Sequence, residues 1–226
     1  MERILTRSRP KRPYDSARRR EQAAHTRDLI LQVARLRFLA DGFKPTTIAA
    51  IAAGAGVSVD VIYKGFGGKP GLARAICEQA LAGEGPVPAE IRSDELQSTD
   101  RDPRTIIRGW GTLTTEVSPR VAPILLLIRD VAASDPEMAN LQAEMDGRRL
   151  DRMTHNARNL ASAGYLRDDV SVGDAAEIMW AYSSPQLYEL LVLVRGWPIP
   201  RYGTFIADAM ISALLPAADD PGASSR

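Results

Sequence analysis

The chain is predicted to be all-α, and three observations carry that expectation. In every periodic segment apolar residues recur at spacings of three and four, while strand-like alternation is absent. The segments are punctuated by glycine and proline where helices end and begin, as at Asp41-Gly42, Gly54-Ala55-Gly56 and Lys69-Pro70. No internal repeat suggests a solenoid or propeller.

Taken in order, residues 1–20 hold eight basic side chains, Arg3, Arg7, Arg9, Lys11, Arg12, Arg18, Arg19 and Arg20, interrupted by Pro10 and Pro13. With no apolar periodicity to offset its ordering entropy, this segment reads as a disordered basic arm. From about Glu21 a helix is expected through Ile30, Val33, Ala34 and Phe38, stopping near Gly42. A second, short helix starts at Thr46 or Thr47, either of which can cap it, and runs through Ile48, Ile51 and Ala52 to the Gly54-Ala55-Gly56 break. Ser58 offers the cap of a third through Val61, Ile62 and Tyr63, ended by Gly65, Gly67 and Gly68. A fourth starts at Lys69-Pro70 and continues through Leu72, Ile76 and Leu81. Residues 82–103 are polar and rich in turn formers, so a linker or loop is expected.

Beyond that linker, residues 104–215 read as helices only. Ile106, Trp110 and Leu113 form one stripe, and Val121 to Val131 reads as a buried helix. A long amphipathic helix carries Met138, Leu141, Met145, Leu150, Met153, Ala157 and Leu160. Asp174 to Arg195 follows, with a kink expected at Pro185. Tyr202 to Leu215 is the last, and residues 216–226 form a flexible tail.

Composition narrows the function. The chain has 226 residues, 45% of them hydrophobic and 25% charged, enough to bury a core. The longest apolar run, Val121 to Ile128, contains a proline and falls far short of the roughly 20 residues of a membrane span. No apolar segment follows the basic N-terminus as in a secretory signal, so a cytoplasmic protein without a membrane partner is expected. The single cysteine, Cys77, excludes an internal disulfide and cysteine-pair zinc sites; it reads as buried rather than reactive. The two histidines, His25 and His155, lack metal-ligand spacing, and His155 reads as either a core or a pocket histidine. Gly68-Lys69 fails as a phosphate loop, because Tyr63 and Pro70 stand where glycine and Ser/Thr are required. No metal, no cofactor and no catalytic set is expected, and the protein is not read as an enzyme. The net charge of +1 hides an asymmetry: residues 1–81 carry a net +8 and the remainder a net −7. A basic front suggests a polyanionic partner.

The second and third helices have the form of a helix-turn-helix, in which the second helix enters the DNA major groove. Ile48, Ile51 and Val57 can lock the pair, Ala52 and Ala55 permit close approach, Gly56 makes the turn, and Ser58 is expected to satisfy backbone donors at the start of the reading helix. Extended on both sides, the segment reads Arg27-Asp28-Leu29-Ile30-Leu31, Gly42-Phe43, Thr46-Thr47, Ile51-Ala52, Ala55-Gly56-Val57-Ser58, Tyr63-Lys64-Gly65-Phe66, Lys69 and Leu72. Over roughly residues 22–76 it resembles the DNA-binding domain of the tetracycline-repressor (TetR) family. Ser184-Pro185-Gln186-Leu187-Tyr188, Arg195-Gly196-Trp197 and Arg201-Tyr202 resemble the last two helices of many members.

The resemblance implies that Thr47, Tyr63 and Lys69 hold phosphates of double-stranded DNA, which suits their donor chemistry. Val59, Asp60, Val61 and Lys64 are the base-reading candidates. The valines suit thymine methyls. Asp60 suits a cytosine amine or simply the helix dipole, and Lys64 a guanine or a phosphate. Many members have His at the place of Gly65 and a Ser cap at that of Gly68, so contacts there depart from the pattern. With few polar base readers present, the arginine-rich arm is expected either to add DNA affinity or to act as a solubilising tail.

The resemblance further implies a C-terminal effector-binding and dimerisation domain. A homodimer would pair through its last two long helices, with Leu187, Leu190, Val194, Ile206, Met210 and Leu214 as candidates, unless these belong to the intramolecular core. Trp110, Met145, Met153, Trp180 and Tyr182 are candidates to line the pocket of a small, largely apolar effector, or are plain core. The net −7 of this half gives little reason to expect an anionic effector. Repression relieved by the effector is the family's usual mode, and the resemblance implies that the effector enters a pocket within the C-terminal bundle and shifts the fourth helix, Pro70 to Leu81. The competing reading is a helical ligand-binding protein without regulatory DNA contact, or one whose DNA binding ignores small molecules; the basic front favours the regulator.

Overall fold

In the computed structural model, residues 14–83 and 85–217 are described, with side chains from Ala17 onward. Ten α-helices and one π-helical stretch make up the described residues, and no strand occurs among them. No single helix among them is long and apolar enough to cross a membrane.

Helix α1 spans Tyr14–Asp41. It begins before the expected Glu21 and takes in Arg18 to Arg20, so the basic segment is helical from Tyr14 on. Downstream of Pro13 the run from Ala17 to Ala24 contains only good helix formers, which propagate the helix without needing a buried face. The remainder of the expected arm, residues 1–13, lies outside the described residues. Ile30, Leu31, Ala34 and Phe38 bury the second half of α1.

Helices α2 (Ile48–Ala55), α3 (Val59–Phe66) and α4 (Lys69–Ala82) follow closely. Between α3 and α4 the backbones nearly touch: a Cβ on Gly71 would lie 1.7 Å from the Phe66 carbonyl oxygen. Only glycine fits there. Helix α4 buries Leu72, Ala73, Ile76, Cys77 and Ala80 between α1 and the following domain.

The expected linker contains helix α5 (Ala89–Thr99), which corrects the reading of residues 82–103 as a loop. This helix has almost no apolar face. Long-range ion pairs hold it: Arg92 to Glu116 through two bonds of 2.9 and 2.6 Å, and Asp94 to Arg152 at 2.6 Å. Such partners lie too far off in sequence to show as periodicity.

Helix α6 (Pro103–Ala132) joins the two segments expected separately into one 30-residue rod that runs through Pro119 and Pro123. Helix α7 (Pro136–Ser162) lies against it. The expected kink at Pro185 is a full break. Helix α8 (Val172–Tyr182) ends, Ser184 adopts extended backbone, and its hydroxyl accepts from Leu187 N to cap the short α9 (Pro185–Tyr188). A π-helical stretch, Glu189–Val194, continues it, and α10 (Ile199–Leu214) closes the fold. Helices α6 and α10 cross at Gly111 and Gly203, where a Cβ on either glycine would sit 2.6 Å from the other's carbonyl oxygen.

Two apolar cores result. One joins α1–α4 to the Ile124–Ile128 part of α6 and to Met138, Leu141 and Met145 of α7; the other is built from α6, α7, α8, α9 and α10.

Candidate nucleic-acid interface and internal cavity

Helices α2 and α3 turn by 107° across Gly56-Val57-Ser58. That lies within the range of about 90–120° for helix-turn-helix pairs. Gly56 takes φ 66°, and its amide and that of Val57 close the end of α2 onto Ala53 and Ala52. Between the expected capping threonines the structure decides: Thr46 is buried and donates to Gly42 O (2.7 Å), whereas Thr47 is the cap and accepts from Ala50 N (3.1 Å). Thr47 is exposed, so its hydroxyl proton remains available to an outside acceptor. Ser58 occupies the N-cap of α3, yet its side chain makes no capping bond, contrary to expectation; its carbonyl accepts from Val61 N instead.

Helix α3 buries Ile62 fully, packs Phe66 partly against the first core and turns its other side chains outward. Val59, Val61 and Tyr63 are 37%, 44% and 53% exposed, a large apolar display for an eight-residue helix. Asp60 in its first turn and Lys64 in its last are exposed beside them. Thus all four base-reading candidates, with Thr47 and Tyr63, stand at the surface.

Lys69 is different. Its ammonium donates to Phe43 O (2.7 Å) and Lys44 O (3.2 Å) and sits 4.6 Å from the centre of the Phe43 ring. Burial pulls its pKa down, with Asp135 opposing. Two of its three donors are therefore committed to the fold, leaving one for a phosphate. The groove shared by Lys69, Tyr63 and Phe43 is also lined by Asp135 and Glu137 from the start of α7, two acids the sequence reading did not place there. Lys44 reaches the same region and donates to Ser134 Oγ (2.8 Å).

Gly68, which departs from the family pattern, has φ 140° and begins α4; serine there would be strained.

A cavity of about 270 Å³, open to solvent on one side, lies between the two apolar cores, lined mainly by the C-terminal half. Trp110, Met145 and Met153 line it. Trp180 and Tyr182 do not, which corrects their assignment. Trp180 is turned aside, its indole N–H donating to Asp146 O (3.2 Å) and its ring stacked on the Arg149 guanidinium, while Tyr182 packs into the second core. Met179, Met210 and three arginines, Arg148, Arg149 and Arg152, line the cavity without having been foreseen.

The dimer candidates divide as well. Ile206, Met210 and Leu214 are fully or nearly buried within the chain's own core, because the glycine crossing draws the apolar stripe of α10 onto α6. They are corrected to core residues. Leu187 is half-buried in the same core, whereas Leu190 and Val194 stand exposed, joined by Leu193. His155 is likewise corrected: it lies at the surface, 3.3 Å from Asp94 Oδ1, neither in the core nor lining the cavity. Cys77 is fully buried, and burial pushes its thiol up to about 12.

Known proteins share these features. Residues 30–76 match the sequence model described as bacterial regulatory proteins, tetR family. The chain is 32% identical over 117 residues to the HTH-type transcriptional regulator BetI 1 of Chromohalobacter salexigens, a match covering 52% of this chain and 57% of the relative's length. Among solved structures, a TetR-family transcriptional regulator from Syntrophomonas wolfei superposes with a TM-score of 0.69 at 19% identity, covering 84% of this chain and 95% of the other. A transcriptional regulator from Saccharomonospora viridis in complex with choline gives 0.63 at 18% identity, covering 85% and 99%. These two establish likeness of fold over nearly the whole length. The helix-turn-helix thus matches the tetR family of bacterial regulatory proteins in sequence, and the helical architecture around it is similar in shape to that of solved regulators.

Proposed function

We propose that the chain is a DNA-binding transcriptional regulator, a ligand-responsive repressor that grips a palindromic operator as a homodimer and is released by a small, largely apolar effector. The observation that carries this reading is the outward face of α3: Val59, Asp60, Val61, Tyr63 and Lys64 stand free on a helix anchored by Ile62 and, at its end, by the partly buried Phe66. Apolar side chains so placed gain nothing from water and suit thymine methyls, while Lys64 offers guanine or phosphate a donor. Thr47 and Tyr63 supply phosphate contacts from either side, and the remaining N–H of Lys69 a third.

Two copies are needed, because one eight-residue helix reads few bases. A dimer sets two reading helices about 34 Å apart, one turn of DNA, so the operator is a near-palindrome. Leu190, Leu193 and Val194 are the exposed apolar residues next to α10 from which such an interface can grow. The effector enters the cavity among Trp110, Met145, Met153, Met179 and Met210 and favours a state that no longer fits DNA; equal affinity for both states would shift nothing.

The direct test is a gel shift on the DNA upstream of the chain's own gene. Retardation that Val61→Asp abolishes supports the reading, and no retardation at low salt rejects it. Light scattering at micromolar concentration should give the dimer mass; a monomer contradicts the palindrome. The basic segment 1–13 adds phosphate contacts. Its deletion should flatten the dependence of affinity on salt, and an unchanged slope rejects that role.

A further inference from the structure

The cavity wall carries a charge pattern opposite to that of its half of the chain. Within little more than one turn, α7 contributes Arg148, Arg149 and Arg152, against the single acid Glu90. The other walls, from α6, α8 and α10, are apolar apart from hydroxyls such as those of Thr114 and Ser118. In the same lining, Trp110 is only 7% exposed, and its indole N–H is buried without a protein partner. With three cations against one acid, donors dominate the polar part of the site, which favours a ligand that brings an acceptor.

The three arginines are not held alike. Arg149 is fixed by Asp146 (3.0 Å), the Trp180 carbonyl (2.6 Å) and the Trp180 ring. Arg152 is fixed by Asp94 (2.6 Å) and Ser93 Oγ (2.9 Å). Arg148 is tied more loosely, through a 3.2 Å bond to Glu78, with both side chains about half exposed. Glu78 lies on α4, the helix that begins beside the reading helix and whose Leu81 forms part of the cavity wall. One turn before Glu78, Arg74 pairs with Glu144 of α7. The Glu78–Arg148 bond is therefore the α4–α7 tie that directly involves a cavity-lining cation.

We infer that the effector is an amphiphile with a carboxylate head, and that this head takes Arg148 from Glu78 and so unclamps the C-terminal end of α4 from α7. The inference rests on reading the cavity as the effector site and adds to it the head group and the first contact exchanged. The bond to Glu78 is long and half exposed, so a better-seated carboxylate at Arg148 gains modestly on exchange; most of the affinity comes from the apolar body seated among the methionines, and switching from the bond that only the unliganded state can keep.

The test uses the full chain with sodium octanoate and 1-octanol, which share an apolar tail, in titration calorimetry. Octanoate should bind about tenfold tighter than octanol, as expected for a charge-assisted contact. Arg148→Gln should erase that preference. Glu78→Gln should keep it and tighten octanoate binding by about threefold, the competitor being gone. In anisotropy measurements on an operator selected from random DNA, octanoate should weaken binding by the parent chain and much less by the Glu78→Gln variant, whose tie is already cut. Octanol binding as tightly as octanoate removes the carboxylate head but leaves the cavity as an effector site. A preference that survives Arg148→Gln, or an octanoate affinity unmoved by Glu78→Gln, removes the exchange. If neither compound binds, the cavity is not the effector site for such molecules and the inference falls with it.

Discussion

The two halves of the molecule use helices in opposite ways. Around α1–α4 the core is continuous, side chains such as Phe38, Ile51, Ile62 and Leu72 are fully buried, and backbones meet so closely that Gly71 admits no side chain. In the C-terminal half α6 runs through two prolines, α8 breaks before Pro185, a π-helical stretch follows, and methionines surround an open cavity. One half is a dense head that presents a fixed surface; the other, though as tightly packed at the Gly111–Gly203 crossing, has room to change shape around its cavity. A switch needs both, since a ligand can bias only an element with two accessible arrangements, whereas packed cores resist gradual deformation. Helix α4 belongs to the dense half by its packing and to the open half by Leu81 and Glu78.

The contrast is sharpest in what substitutions should cost. Gly71→Ala drives a methyl into the Phe66 carbonyl, so it should lower stability by about 4 kcal/mol or prevent folding, read from the urea midpoint. Phe38→Ala should cost about 3–5 kcal/mol, because a tightly packed site collapses poorly. Met210→Ala, at the wall of a cavity and with a flexible side chain removed, should cost about 2 kcal/mol, the low end for such a truncation, while changing ligand affinity. Equal losses for Phe38→Ala and Met210→Ala would erase the distinction between dense and open halves. Lys64→Ala should leave stability within about 0.5 kcal/mol but weaken DNA binding and lower the salt slope by about 1 if the contact is to phosphate.

At neutral pH the smallest effect concerns Cys77, whose shift acts only in alkali. Burial pushes its thiol up to about 12 from the ordinary 9.0, so the folded chain keeps a proton that the unfolded chain releases. Stability should fall as pH rises from 9 towards 12, and a thiol reagent at pH 8 should label Cys77 only as fast as the dense half opens. Rapid labelling of the native chain would show that half to be loose.

The dense head was largely legible in the sequence because its determinants are local. Thr47, Gly56 and Ser58 mark helix ends within a few residues of the apolar positions they serve, and the order of these signals over some fifty residues is distinctive. The open half was less legible because packing decides it. Nothing in the spacing of Ile206, Met210 and Leu214 tells that Gly111 and Gly203 meet and turn that stripe inward. Helix α5 went unseen because Arg92 and Asp94 find their partners on α6 and α7. Trp180 resembled a pocket residue until Asp146 and Arg149 claimed it. Likewise, the negative balance of this half gave no hint of three arginines on one wall.

The central claim is that α3, displayed twice, reads double-stranded DNA. Selection of bound sequences from a random duplex pool by the full chain tests it most directly. Two inverted half-sites about 10 base pairs apart, centre to centre, are predicted, with enrichment lost in the Val61→Asp chain. A pool that stays random, or an enriched motif that survives that substitution, would contradict it.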